Sequence, residues 1–177
     1  FGVNLEGKWL RSSQDPKQLL SAGVPAEVQS LHRFATARED GVPAVSVALN
    51  LHTSHGEPED MAFFFPHFGP AERGFKQDEA QLWNAQQRFI QAMRKDLGAR
   101  WFNAVSPESG AYFAGRFMPE SWWWHNFGPR VMALSFETTY GRVPGEGRWI
   151  RPDDLRRYGV AMGSALAQYY QSTVLSK

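Results

Sequence analysis

The chain of 177 residues contains no cysteine. Disulfides, thiolate metal sites and cysteine nucleophiles are therefore excluded. No apolar run approaches the roughly 18 residues of a membrane-spanning helix, so no membrane partner is expected. Neither sign of charge is in excess: 19 basic and 18 acidic side chains leave a formal charge of +1. That balance, without any run of like charge, argues against nucleic acid as a partner, which needs a basic surplus on one face. There is no Walker-type glycine loop for phosphate and no G-x-S-x-G elbow for a serine hydrolase. Internal repeats and low-complexity segments are also lacking. The opening "FGVNLEGKWL" has neither the charged nor the long apolar region of a signal peptide. It starts without Met, inside what reads as an element already under way, and an upstream segment is expected in the intact protein.

What is present belongs to a folded chain. Hydrophobic residues make up 42 % and seven residues are Trp, enough for one domain with a core of its own. The spacing predicts a helix in "VPAEVQSLHRFATARED", with Pro25 in its first turn and Val28, Leu31 and Ala35 on one face. "PAVSVALNLH" alternates with a period of two and predicts a strand buried on both sides, with His52 at its carboxyl end. Residues 53–77, rich in Gly, Pro and Phe, read as a long functional loop. "DEAQLWNAQQRFIQAMRKDLG" predicts a second helix, with Leu82, Phe89, Met93 and Leu97 on its apolar face.

Residues 102–129 show no period and read as irregular. "RVMALSFETTY" predicts a second strand. Val131, Ala133, Ser135 and Glu137 point one way, and Met132, Leu134 and Phe136 the other. "RPDDLRRYGVAMGSALAQYY" predicts a last helix with Leu155, Tyr158, Met162, Leu166 and Tyr169 as its stripe. Gly159 and Gly163 are read as permitting close packing on the sheet. The alternation of helix and strand implies an α/β fold with a mixed, partly parallel central sheet flanked by helices.

Ligands of open α/β sheets sit outside the carboxyl ends of the strands. His52 and Glu137 each occupy such a position, on different strands, and form a credible catalytic pair. In "NLHTSHGEPED", His55, Glu57, Glu59 and Asp60 follow His52 and offer further metal-ligand types. The helical signature of two His flanking a Glu is not among them. A carboxylate ending an apolar strand is either salt-bridged, here to Arg130, Arg142 or Arg148, or a general base. Three consecutive Trp at 122–124 cannot all face one core, so Trp123 and Trp124 are candidates for a pocket or an interface. Arg116 and Arg130 are candidates for gripping a carboxylate with two hydrogen bonds.

"ALNLHTSHG", then "FETTYG" about 80 positions later, then "LRRYGVAMGSALAQYY" resemble the C-terminal part of zinc carboxypeptidases of the carboxypeptidase A type. The opening "GVNLEGKW" resembles that family's G-V-D/N-L-N-R-N-W/F segment. The resemblance covers nearly the whole chain, as one domain or about the last three fifths of a catalytic domain. It implies that His52 is the third zinc ligand and that Glu137 is the catalytic carboxylate. The zinc ion would polarise the scissile carbonyl and lower the pKa of a bound water toward ~7, and Glu137 would pass that water's proton to the leaving amine. The Trp-rich stretch is expected to help shape the specificity pocket. The family's other two zinc ligands come from an H-x-x-E motif, and none occurs in these 177 residues. The resemblance thus assigns them to an upstream portion of the same protein, about 50 to 80 residues before Phe1.

Glu6 and Gly7 depart from the family's Asn-Arg, the pair that grips a substrate's terminal carboxylate. Lys8, Arg116 or Arg130 would have to replace that cation, and Tyr112 is the nearest match to the substrate-capping Tyr. The expected activity is hydrolysis of a peptide or another amide, with zinc as cofactor. The resemblance leans to a periplasmic or extracellular setting. The rival readings are a non-catalytic module binding peptide or glycan, and a hydrolase of cell-wall peptides or N-acyl amino acids.

Overall fold

The computed structural model describes residues 25–36, 42–53, 61–103, 119–143 and 145–173. Among them four α-helices and three strands form a mixed α/β fold. The elements are α1 (Ala26–Thr36), β1 (Val47–Thr53), β2 (Phe63–Phe65), α2 (Gln77–Leu97), α3 (Pro119–Phe127), β3 (Met132–Thr138) and α4 (Pro152–Thr173). The sheet has the order β1-β3-β2. β3 is central, parallel to β1 and antiparallel to β2.

The alternation read from the sequence of β3 is the one observed. Met132, Leu134 and Phe136 enter the main core with Phe64, Phe89, Met93, Tyr158 and Ala165, between the sheet and helices α2 and α4. Val131 faces the other way, into a second cluster with Val28, Ala35, Trp122 and Phe127 from α1 and α3. The two faces of the sheet are thus covered by different helix pairs. β1, expected to be buried on both sides, is half-buried with Leu51 exposed, and β3 is the buried strand.

α2 starts at Lys76, whose backbone N–H donates to Glu79 Oε2 at 2.8 Å, and ends at Gly98, whose φ of +101° suits glycine. Its buried side includes Leu82, Gln86, Phe89 and Met93, each large apolar member contributing roughly 2 kcal/mol by leaving water.

Five further expectations are corrected. α1 buries His32 with Val28 and Ala35, while Leu31 is 50 % exposed. Residues 53–77 are not loop throughout: Phe63–Phe65 pairs with β3, and a 3-10 turn spans Ala71–Arg73. The stretch read as irregular contains α3, started by Pro119 with Glu120 in its first turn. On α4, Leu155 is 43 % exposed, Tyr158, Ala161, Ala165 and Tyr169 are buried, and the expected Met162 and Leu166 pack partly buried against the core. Gly159 and Gly163 are exposed, with no atom within 4 Å of an added Cβ, so neither mediates close packing.

No described helix is long and apolar enough to cross a membrane.

Candidate active site at the carboxyl ends of two parallel strands

β1 and β3 run in register, and the pairing sets His52 opposite Glu137. Partners in a parallel register point to the same face, across a strand spacing of about 4.8 Å. Both residues are the penultimate ones of their strands and both are half-buried. The side-chain alternation puts them on the face covered by α1 and α3. On the other side of Glu137, β2 contributes Phe63 in register. One row across the sheet therefore reads His52, Glu137, Phe63: an imidazole, a carboxylate and an aromatic wall.

The strand ends are fastened locally. Thr138 Oγ1 donates to the backbone carbonyl of His52 at 3.1 Å, and the Thr53 and Thr138 hydroxyls lie 3.0 Å apart. Past β3, Gly141 N–H donates to the buried Thr139 hydroxyl at 2.7 Å.

The row below, two residues earlier on β1 and β3 and two later on antiparallel β2, reads Asn50, Ser135, Phe65. Asn50 Nδ2 donates to Ser135 Oγ at 3.4 Å, and Ser135 Oγ donates to Glu120 Oε1 at 2.5 Å. Glu120 is 2 % exposed and Ser135 3 %. Sequence reasoning passed over Glu120 because α3 itself was missed; the signal for it was a carboxylate directly after Pro119, where a helix begins. Asn50 and Ser135 were legible as the same-face neighbours of His52 and Glu137.

The three Trp diverge as a helix requires. Trp122 is buried on His32. Trp123 packs edge-on to Trp122 and tilted on Phe127. Trp124 lies 4.6 Å from Phe68, in a cluster with Leu82 and Phe75. The stretch expected to be a loop shaping a pocket is thus a helix, and Trp123 and Trp124 are half-buried in aromatic clusters. Arg130 is exposed, donates to Phe127 O at 3.1 Å and lies over the Phe127 ring. It precedes β3, seven residues before Glu137 and so roughly 20 Å away along extended backbone. That removes it from contact with a ligand held at the His52 end. Tyr112, Arg116, Glu6, Gly7, Lys8, His55, Glu57, Glu59 and Asp60 lie outside the described residues.

Among the described residues no group of three or more His, Cys, Asp or Glu side chains is arranged to hold a metal ion. By the chemistry of its donor, His52 fits a zinc ion as one imidazole ligand, but a zinc site needs three or four protein ligands. The described residues thus fit one arm of such a site and not a whole one. Comparisons with protein-family models, curated proteins and solved structures find no match to this chain.

Proposed function

We infer that the chain carries the catalytic part of a zinc-dependent peptidase of the carboxypeptidase type, hydrolysing a peptide or related amide bond. The single observation that supports this reading is the in-register adjacency of His52 and Glu137 at the carboxyl ends of parallel strands. An imidazole and a carboxylate held side by side on one sheet face, half-buried, are the parts needed to fix an ion and to move a proton.

In this reading His52 supplies one neutral nitrogen ligand, and an upstream part of the same protein supplies two more. The bound zinc would contribute Lewis acidity toward a carbonyl and a water. Glu137 accepts a proton from the attacking water and returns it to the leaving nitrogen, so no net proton is gained or lost. Phe63 bounds the row on the far side of Glu137. The carboxylate-gripping cation must come from residues other than Arg130.

The test is made on the full-length protein. Zinc at one equivalent, with cleavage of peptides having a free C-terminus and not of the same peptides amidated, is the expected result. Cleavage of both, or of N-acyl amino acids alone, moves the activity to another amide. Absence of stoichiometric zinc together with retained peptide or glycan binding replaces the enzyme with a binding module.

A further inference from the structure

The row beneath the His52–Glu137 pair poses a physical question. Asn50, Ser135 and Glu120 form a polar chain on the sheet face covered by Val28, Ala48, Trp122 and Phe127. Burying a carboxylate and a hydroxyl is costly unless each is hydrogen-bonded. The positive end of the α3 dipole offsets part of that cost, because Glu120 is in the first turn. Apolar side chains of similar volume would commonly serve stability as well or better. What a polar row adds is direction. In a site shielded from water, hydrogen bonds are strong and fix rotamers and strand offsets that apolar packing leaves free.

This chain joins three elements: Asn50 is on β1, Ser135 on β3 and Glu120 on α3. Ser135 is two residues from Glu137, and Asn50 two from His52, each on the same face as its neighbour. A slip of β1 along β3 stretches the Asn50–Ser135 bond, and a lift of α3 from the sheet stretches the 2.5 Å Ser135–Glu120 bond.

We propose that Glu120 is a positioning residue: through Ser135 and Asn50 it clamps α3 to both strands and holds the His52 imidazole and the Glu137 carboxylate at a fixed offset. This deepens the hydrolase reading and rests on it for its kinetic consequence. The clamp itself is a statement about geometry and has its own readout.

The experiment compares Glu120→Leu, Glu120→Gln and Ser135→Ala in the full-length protein. Gln keeps an oxygen that accepts from Ser135; Leu does not. The first readout is the His52 ring C–H signal in a carbon–proton NMR spectrum, identified by its loss in His52→Asn. The expected result is that Leu and Ala shift or split this signal and Gln leaves it at the wild-type position. The second readout is kinetic. Leu and Ala lower kcat about 10- to 100-fold, the scale of an ångström-sized misplacement, with KM changed less than about threefold, and Gln recovers most of kcat. An unmoved His52 signal in both Glu120→Leu and Ser135→Ala overturns the proposal, as does a Gln variant that behaves like Leu. If Glu120→Leu does not fold, Ser135→Ala, which removes one hydroxyl, decides alone. If the wild type cleaves nothing, the hydrolase reading falls while the NMR comparison still decides the clamp.

Discussion

His32 lies flat on Trp122, with ring centroids 4.2 Å apart and planes within 5° of parallel. The stack joins α1 to α3 on the face of the sheet that carries His52 and Glu137, and it makes the imidazole part of an apolar cluster. Removal from water disfavours the charged ring and pushes its pKa down from 6.5 to about 4.

A pH dependence follows with a definite sign. The unfolded chain binds a proton at His32 near pH 6.5, whereas the folded chain resists until about pH 4. Between those values the unfolded state holds more protons, so stability falls as pH falls, by at most about 3 kcal/mol for this group. Urea midpoints measured from pH 7 to 4 should decline for the wild type and decline much less for His32→Phe, which keeps the stack. Equal slopes in the two proteins would refute the assignment.

A second acid transition belongs to Asp154. Arg148 donates to both of its oxygens, at 2.7 and 3.0 Å, and the Arg151 N–H donates at 2.9 Å across the start of α4. The Arg148 hydrogen bond, against the cost of burial, holds the Asp154 carboxyl down at about 2. Its contribution is present above the ordinary carboxylate range and is lost only as pH drops from about 3.8 toward 2. Asp154→Asn keeps an acceptor for the Arg151 N–H but removes the charge paired with Arg148, so it should cost about 2 kcal/mol at pH 7, the scale of a lost hydrogen bond to a charged group, without changing the slope between pH 6.5 and 4.

Exposed glycines inside α4 give a gain instead of a loss. An added methyl group at Gly159 or Gly163 meets nothing within 4 Å. Alanine at either position restricts the unfolded chain and suits the helix, so each substitution should stabilise by about 0.5–1 kcal/mol. A thermal or urea midpoint unchanged by both would mean that these positions touch something in the intact protein.

The same glycines show where sequence reasoning fell short. Their spacing of four suggested a packing groove, but the stripe that packs is one position away, at Tyr158, Ala161, Ala165 and Tyr169. β3, α2 and α4 were legible because their apolar residues recur with clear periods of two or about 3.6. α3 was not, because in Ser-Trp-Trp-Trp-His every large side chain is aromatic and no period is visible. Three phenylalanines in a Gly- and Pro-rich stretch gave β2 no alternation to read. The places of His52 and Glu137 at strand ends were legible, and so was the face of each. Their register was not, because it depends on how two strands distant in sequence align. The Ser135–Glu120 bond was hidden for the same reason: it joins a strand to a helix that had not been recognised.

On the proposed zinc-peptidase reading, the two members of the pair should fail in different ways when changed singly in the full-length protein. Glu137→Gln preserves shape and removes the proton acceptor, so zinc content should stay at the wild-type level. kcat should fall by several orders of magnitude, combining the loss of a general base, about 10²–10⁴, with the loss of its charge at the reacting centre. His52→Ala removes a ligand, so the metal itself should be lost, and added zinc should restore little. Metal analysis and steady-state kinetics on both variants separate the roles. If Glu137→Gln keeps full turnover, the carboxylate is not the proton carrier. If His52→Ala keeps its zinc, the imidazole is not a ligand, and the in-register pair at the sheet rim would have to be explained by packing alone.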